Sequence, residues 1–161
     1  MDQVVEQERE QVETGYPTAV VVRFGGSRYA VDMASVAEVV PVPVTSRVPG
    51  CPRWLSGVVN WRGRVLAVVD PRSLLGAETL PLPSSARLLV LSADGVEVGM
   101  VVEAVAGLLE AGDSDPEPPP ATASASASAM VLGVVADASG PISLLDARSV
   151  LALRSDLPSA R

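Results

Sequence analysis

The sequence predicts an all-β protein made of two similar small β-barrels that pack against each other. Three observations lead to this prediction: short β-branched runs separated by turn signals, very little helical pattern, and an internal repeat of a β unit. Short, evenly spaced strands without helical crossovers are typical of barrels and sandwiches rather than of parallel sheets. At 161 residues, the chain can hold one compact domain or two very small ones.

The predicted strands follow one another at short intervals from Pro17 onwards. Each is rich in Val, Leu or Ala and is bounded by residues that favour turns, as expected for strands with a buried face. The nine predicted strands are Ala19–Phe24, Arg28–Asp32, Ala37–Val44, Gly57–Trp61, Arg64–Asp70, Arg87–Ser92, Val96–Val102, Met130–Val135 and Ile142–Leu145.

Three dipeptides predict tight two-residue hairpin turns between these strands. Such turns need positive φ, which glycine adopts at little cost. The dipeptides are Gly25-Gly26, Arg62-Gly63 and Asp94-Gly95.

Only two short helices are predicted. One is Pro71–Leu75, which follows Asp70, and the other is Asp146–Leu153 near the end of the chain. In both, an Asp carboxylate can accept hydrogen bonds from the free N–H groups of the first turn.

Low-complexity and acidic segments predict the domain boundaries. Residues 1–16 are predicted to be a flexible acidic tail, residues 17–155 the folded domain, and residues 156–161 a C-terminal tail. Within the domain, residues 111–129 are rich in Pro, Ala and Ser and predict a mobile loop, because they offer little apolar surface to bury. A fragment of helix in the Ala-Ser run is the alternative.

The charge of the chain is concentrated in two segments. The net charge is −7, and residues 1–13 and 110–117 each carry −4, so the rest of the chain carries +1. No basic stripe is present, which argues against nucleic acid as a partner. The polar N-terminus does not resemble a signal peptide, and no apolar run could span a bilayer, so we expect a cytoplasmic protein without direct membrane insertion.

An internal repeat connects the two parts of the chain. Residues 57–73 share the motif Gly-Val-Val, a later Gly, and Asp-x-Arg-Ser with residues 133–149, at an offset of 76 residues. Residues 36–40 resemble residues 105–109, at an offset of 69. Chance similarity among Val-rich strands is the alternative, but two matches in the same order favour duplication of a small β unit.

Catalytic chemistry finds little support in the sequence. The chain has no His, so it lacks an imidazole base and a His metal ligand, and its single Cys51 has no His partner. Phosphate-binding glycine motifs are also absent from the sequence. We therefore expect no enzyme activity, no cofactor and no metal, and a binding role instead.

One continuous stretch of sequence resembles a known family. Residues 57–72 read G-V-V-N-W-R-G-R-V-L-A-V-V-D-P-R, similar to the most specific segment of CheW-like domains, G-V-x-N-x-R-G-x-x-x-P-V-x-D-L-R. Weaker matches before and after it extend the resemblance over residues 17–153. The chain departs from the pattern at Trp61, Ala67 and Pro71, where the family usually has a smaller aliphatic residue, Pro and Leu.

The resemblance implies a fold and a function. It implies two SH3-like five-stranded β-barrel subdomains and a non-catalytic adaptor that joins the regulatory domain of a CheA-type histidine kinase to the cytoplasmic tip of chemoreceptors. One edge of the first barrel would meet the kinase, and a groove between the barrels would accept the receptor hairpin. The adaptor would be recruited to receptor arrays at the inner membrane face. The alternatives are an adaptor for pilus or gliding motility or for a developmental kinase system, and a small-ligand-binding β-barrel or enzyme.

The resemblance also implies an ion pair. Glu38 and Arg62 match an acid and an Arg that are thought to pair across neighbouring strands, and the pair would hold the first barrel in shape or contact a partner directly. Val36 would lie beside the receptor groove or in the core.

The remaining candidate residues surround the Arg62-Gly63 turn. Gly57, Asn60 and Gly63 are expected to set the hairpin, by positive φ at Gly63 and by backbone hydrogen bonds from Asn60. Trp61 is either an interface anchor or a core residue. Asp70 is expected to cap the following helix, with a binding role as the alternative.

Overall fold

The computed structural model describes residues 16–112, 115–120 and 129–157. Most of the predicted N-terminal tail, residues 113–114 and 121–128 of the predicted loop, and residues 158–161 lie outside these ranges. Within them, ten strands form two five-stranded sheets with a few short helical turns, so the all-β prediction is confirmed.

The strands and helices occur in the following order along the chain. The strands are β1 (Ala19–Phe24), β2 (Ser27–Asp32), β3 (Val36–Pro41), β4 (Leu55–Trp61), β5 (Arg64–Val69), β6 (Arg87–Ala93), β7 (Val96–Val102), β8 (Ala104–Leu109), β9 (Val131–Asp137) and β10 (Gly140–Leu145). The helices are α1 (Pro71–Leu74) and α2 (Ala147–Ala152), with 3₁₀ turns at Met33–Ser35 and Leu153–Asp156.

The two sheets exchange strands between the two parts of the chain. Sheet A has the order β8-β1-β2-β10-β9, and sheet B has the order β3-β6-β7-β5-β4. Neighbouring strands are antiparallel except for β2 with β10 and β5 with β7, which are parallel. Each sheet therefore combines a hairpin from one half of the chain with three strands from the other half.

The strand registers confirm the duplication that the sequence predicts. In sheet B, β5 and β7 are aligned with Val68 beside Gly99. In sheet A, β10 and β2 are aligned with Leu144 beside Ala30. Leu144 follows Val68 by 76 residues, and Gly99 follows Ala30 by 69, which are the two offsets of the sequence repeat. Equivalent strands thus occupy equivalent places in the two sheets.

The two α-helices begin in the same way. The Asp70 carboxylate accepts a hydrogen bond from the backbone N–H of Arg72 at 3.0 Å, and the Asp146 carboxylate accepts one from Arg148 at 3.1 Å. Both predicted caps are therefore confirmed. The backbone N–H groups of the two capping residues also donate to equivalent carbonyls, those of Trp54 and Met130, at 2.7 Å in each case.

The three predicted hairpin turns are confirmed by their backbone angles. All six turn residues have positive φ, and each turn joins strands whose flanking residues pair directly. The φ angles are 60° and 76° at Gly25 and Gly26, 50° and 78° at Arg62 and Gly63, and 52° and 79° at Asp94 and Gly95.

Two predictions about strands are wrong. The predicted strand Ala37–Val44 ends at Pro41 as β3, because proline donates no ladder hydrogen bond and a second proline follows at Pro43. Strand β8 is absent from the predicted strands. Its pattern is interrupted by Gly107, which has a φ of 138°, at an irregularity in the pairing with β1.

Both faces of the central strands are buried. In β1, Val20, Val22 and Phe24 join a large core that is shared by the two sheets, while Ala19 and Val21 join a smaller core of sheet A alone. Sheet B has a small core of its own as well. Burial on both faces explains why these antiparallel strands are hydrophobic almost throughout instead of alternating with polar residues.

In each sheet, the chain that leaves one edge strand crosses over and pairs with the opposite edge strand. In sheet B, Ser46 pairs with Val58 of β4. In sheet A, Glu117 pairs with Val134 of β9 through hydrogen bonds of 2.9 and 2.7 Å. Glu117 belongs to the segment 111–129, so the described part of this predicted loop runs beside β9. The mobility of the whole segment stays a prediction.

No helix in the described ranges is long and apolar enough to cross a membrane.

An ion pair connects β2 to the β9–β10 turn in sheet A. The Arg28 guanidinium donates to both carboxylate oxygens of Asp137, at 2.8 and 2.6 Å, and to the Gly140 carbonyl at 2.9 Å. The hydrogen bond from Arg28, with a further one from the Ser139 N–H, lowers the pKa of Asp137 to about 2.

This pKa predicts how the ion pair depends on acidity. Because the pKa is lowered in the folded state, the contribution of Asp137 to stability is present above its ordinary pKa of 3.8 and is lost as the pH falls towards 2. We expect Asp137→Asn to lower the melting temperature at neutral pH and to lose this effect at the acidic end. Thermal melts of both proteins across this range measure the difference, and an equal difference at every pH would contradict the prediction.

Candidate functional site

The candidate site residues from the sequence all belong to sheet B or to the helix that follows it. They lie on the edge strand β3, on the edge strand β4, in the β4–β5 turn and at the start of α1. In chain order they are Val36, Glu38, Gly57, Asn60, Trp61, Arg62, Gly63 and Asp70.

Glu38 and Arg62 form an ion pair across the two edges of sheet B. The pairing itself agrees with the expectation, but β3 and the β4–β5 turn belong to opposite edges of the sheet rather than to adjacent hydrogen-bonded strands. The chain that follows β3 crosses to the other edge, where Ser46 pairs with Val58 of β4. The Glu38–Arg62 pair therefore lies beside the seam of sheet B, the line along which the chain after β3 closes over β4.

The Glu38–Arg62 pair is only partly buried. The Arg62 side chain is 66% exposed and the Glu38 side chain 30% exposed. Exposed ion pairs contribute roughly 0–1 kcal/mol, because water screens the attraction and two long side chains lose freedom. Partial burial applies to Glu38 rather than to Arg62. The pair can orient Arg62 on the surface without being a large source of stability.

The position of Trp61 agrees with the core role that the sequence left open, and its role as an interface anchor stays a prediction. Its ring is half-buried and packs against the small core of sheet B. The Arg62 guanidinium lies 5.3 Å from the centre of the same ring, a distance at which a cation interacts with an aromatic face. Trp61 and Glu38 thus hold Arg62 from two sides, and the positive φ of the turn fixes its backbone.

Asn60 and Val65 present the outward face of the hairpin. They are register partners on β4 and β5, and both are exposed, with Val65 at 71%. Asn60 is among the candidate residues from the sequence, and Val65 is not. The signal was available, because the predicted turn at Arg62-Gly63 places residues 60 and 65 opposite each other. We call Glu38, Asn60, Trp61, Arg62 and Val65 the hairpin surface.

Gly57 has a role that differs from the one expected. It lies five residues before the turn, at an irregularity in the β4–β5 pairing, with a φ of 148°. A Cβ atom at this position would overlap the Ser46 carbonyl oxygen and lie 2.8 Å from the Thr45 side chain. Gly57 therefore allows the segment after β3 to close over β4. Gly63 serves the turn, as expected, and has open space around it.

Val36 lies at the junction between the two sheets. It begins β3 directly after the 3₁₀ turn Met33–Ser35, which leads from β2 in sheet A to sheet B. Its side chain is half-buried and packs against the core that the sheets share. This position agrees with the core role that the sequence left open, and the exposed part of the side chain remains available at the junction.

Asp70 is buried and belongs to a network that the sequence did not reveal. Its carboxylate accepts two hydrogen bonds from the Arg72 side chain, at 3.1 and 2.9 Å. Arg72 is only 5% exposed, and its hydrogen bonds to Asp70 raise its pKa above the ordinary value. The same guanidinium donates to the Leu80 carbonyl at 2.8 Å and lies 3.9 Å from Glu103. Asp70 thus has a structural role, which includes anchoring the chain after α1.

The arrangement of polar groups offers little for catalysis. Among the residues that the structure describes, no three His, Cys, Asp or Glu side chains come together as possible metal ligands. A depression of about 810 Å³ between the chain before β4 and the chain after α1 is lined by Arg47, Arg53, Cys51 and several hydroxyl groups. It brings together two arginines but no carboxylate partner for acid–base chemistry.

Comparison with known proteins connects this fold to one family. The family model described as "CheW-like domain" matches residues 18–155. "Chemotaxis protein CheW" of Bacillus subtilis is 24% identical over 141 residues, which cover 88% of this chain and 90% of that protein. "Protein PilI" of Pseudomonas aeruginosa is 37% identical over 86 residues, which cover 53% of this chain and only 48% of that protein. The chain therefore matches about half the length of PilI.

A solved structure has the same fold. The crystal structure of the scaffolding protein TtCheW from Thermoanaerobacter tengcongensis superposes with a TM-score of 0.73 and 24% sequence identity, covering 81% of this chain and 84% of that one. The two SH3-like subdomains that the sequence resemblance implied correspond to sheets A and B.

The close approach at Gly57 predicts a larger effect of alanine there than at Gly63. Gly57→Ala adds a steric overlap with backbone to an unfavourable φ, and should lower the free energy of unfolding by about 3 kcal/mol or more. Gly63→Ala meets no neighbouring atom and should cost roughly 1–2 kcal/mol from its φ alone. Urea unfolding of both variants measures the difference, and equal losses would contradict the role assigned to Gly57.

The exposure of the seam ion pair predicts weak coupling. In a double-mutant cycle with Glu38→Ala and Arg62→Ala, the interaction energy should be about 0.2–1 kcal/mol. Urea unfolding of the wild type, both single variants and the double variant yields this energy. A value above about 2 kcal/mol would show instead that the pair is a main support of sheet B.

Proposed function

Because this chain belongs to the CheW-like domain family, whose members are non-catalytic scaffold proteins, we propose that it couples a CheA-type histidine kinase to chemoreceptors. The observation that carries this proposal is that the family match spans residues 18–155, and so includes both sheets and the whole hairpin surface. An adaptor of this kind acts by contacting two proteins at once, and it needs neither cofactor nor metal. We further propose that it works in the cytoplasm, at receptor arrays beneath the inner membrane.

The hairpin surface is the proposed contact for the regulatory domain of the kinase. It combines an exposed apolar side chain, Val65, with an Arg that is held by Trp61 and Glu38. Arg and aromatic residues that are held in place before binding are typical of the centres of protein interfaces. Glu38 belongs to the edge strand β3, so this strand adjoins the surface through the ion pair.

The junction between the sheets is the proposed contact for the receptor. Val36 is half-buried there, above the core shared by the two sheets. A helical receptor hairpin would bury apolar side chains in a groove of this kind. Two separate contacts, one on sheet B and one between the sheets, let a single adaptor bind both partners together. Arrays of such contacts add avidity that a single contact lacks.

A second pathway is favoured by one of the relatives. The protein named PilI is 37% identical to this chain over the matched segment, compared with 24% for the Bacillus subtilis CheW. The second candidate function is thus the same kind of adaptor in a non-flagellar system, such as pilus or gliding motility or a developmental kinase pathway. Capture of kinases from the cells that make this protein, followed by their identification, distinguishes the two candidates.

A substitution on the hairpin surface tests the kinase contact. We expect Val65→Arg to weaken binding of the isolated regulatory domain of the CheA-type kinase from the same organism by about tenfold or more, because a charge would enter an apolar contact. Leu80→Arg is the matched control: Leu80 is 57% exposed on the chain between α1 and β6. Titration calorimetry measures both affinities.

The expected result is a loss of affinity for Val65→Arg alone, with both variants melting within a few degrees of the wild type, since both side chains are exposed. Equal affinities of the two variants for the kinase domain would place the contact elsewhere on the molecule.

A further inference from the structure

Two ion pairs with opposite charges lie at corresponding ends of the two sheets, although Asp137 corresponds in the repeat to Trp61, the register partner of Arg64. In sheet A, Arg28 of β2 pairs with Asp137 beside the β9–β10 turn. In sheet B, Glu97 of β7 pairs with Arg64 beside the β4–β5 turn. Arg28 and Glu97 are 69 residues apart, the offset that relates β2 to β7. Asp137 and Arg64 each belong to the residue pair that closes the equivalent turn.

Because of the duplication, each half of the chain could pair either with the other half or with the same half of a second copy. We call residues 16–75 the N-half and residues 86–157 the C-half; the chain 76–85 joins them. Each half donates a hairpin to one sheet and three strands to the other. Because the two halves have the same strand order and register, the N-half of a second copy offers nearly the same docking surface as the C-half.

Apolar packing discriminates weakly between these partners. In the native sheet A, the β1–β2 hairpin packs against Ile142 and Leu144 of β10. In a sheet formed with the N-half of a second copy, the same hairpin would meet Leu66 and Val68, the residues of β5 at the equivalent positions. These side chains are similar in size and all are buried in the native fold. Cores tolerate exchanges of this kind when their volume changes little.

The charges discriminate between the two partners where the apolar packing does not. If two N-halves paired, Arg28 of each copy would face the second copy's Arg64. If two C-halves paired, Glu97 of each copy would face the second copy's Asp137. The side chains of Arg28 and Glu97 are 17% and 22% exposed, and those of Asp137 and Arg64 are 41% and 62% exposed. Like charges at such half-shielded positions repel more strongly than fully solvated ones.

We propose that the charge-exchanged pairs Arg28–Asp137 and Arg64–Glu97 make each half of the chain select the other half and reject the same half of a second copy. The partner that this surface is built to exclude is a second copy of the chain, joined through exchanged strands. An adaptor that acts at high local concentration is exposed to such exchange whenever its halves separate.

The test uses full-length chains whose net charge does not change. The variant Arg28→Glu/Glu97→Arg makes both native pairs repulsive and both like-half pairs attractive. The matched control Arg28→Glu/Asp137→Arg keeps both native pairs attractive. It loses the hydrogen bonds of both Arg28 and Asp137, so it loses at least as many at this site as the first variant does. A fourfold variant adds Asp137→Arg and Arg64→Glu to the first variant and makes the native pairs attractive again.

Each protein is refolded from denaturant, and its dimer fraction is measured by size-exclusion chromatography with light scattering. We expect Arg28→Glu/Glu97→Arg to form dimers about an order of magnitude more readily than the control, because the like-half pairs attract in both proteins but the native pairs repel only in this variant. Isotope-filtered NMR identifies the pairing: contacts from Ala30 to the second copy's Val68 report two N-halves, and contacts from Ala30 to Leu144 report the native pairing. The fourfold variant should return to the behaviour of the wild type, because its native pairs attract and its like-half pairs repel.

The proposal is overturned if Arg28→Glu/Glu97→Arg has the same oligomeric state as the control and keeps the Ala30–Leu144 contact. It is also overturned if this variant fails to fold and the fourfold variant does not recover, since the charges would then act on stability without selecting a partner.

Discussion

The parallel pairing of β2 with β10 and of β5 with β7 is the constraint on which the rest of the structure depends. Together with the antiparallel pairs of β1 with β8 and of β3 with β6, these two contacts join the halves of the chain and place a hairpin from one half in the middle of a sheet that the other half otherwise builds. The large core between the sheets consequently contains side chains from both halves, among them Phe24, Val69, Met100 and Leu145. Neither sheet is complete within one half, so the halves are expected to fold and unfold together.

The candidate site is a consequence of how sheet B closes. The chain after β3 closes over β4 along the seam, where Ser46 pairs with Val58, and Glu38 reaches Arg62 beside it. The chain after β3 can approach β4 because Gly57 has no side chain, and the ion pair with Glu38 orients Arg62 above Trp61. Different residues therefore close sheet B and shape the hairpin surface. Substitutions on the hairpin surface can therefore leave the fold intact.

Features that depend on local chemistry could be predicted from the sequence. The three turns and the two Asp caps require particular residues at particular positions, and all were predicted at the correct place. The exchange of strands between halves could not be predicted from the repeat, because a repeat shows which strands are equivalent and does not show which strands are neighbours. The Arg72 network was missed for the same reason, since Leu80 and Glu103 approach it only in the folded chain. Strand β8 was missed because Gly107 interrupts its pattern, although its likeness to β3 had been recognised.

Native-state amide hydrogen exchange tests whether the exchanged strands make the two sheets unfold as one unit, because it reports whether the sheets open together. The account predicts that the slowest amides of β2 and β10 in sheet A and of β5 and β7 in sheet B share one free energy of exchange, equal to that of global unfolding. If the slowest amides of one sheet exchanged through an opening well below the global free energy while the other sheet stayed protected, the sheets would be independent units. That result would contradict a fold held together by strands exchanged between its halves.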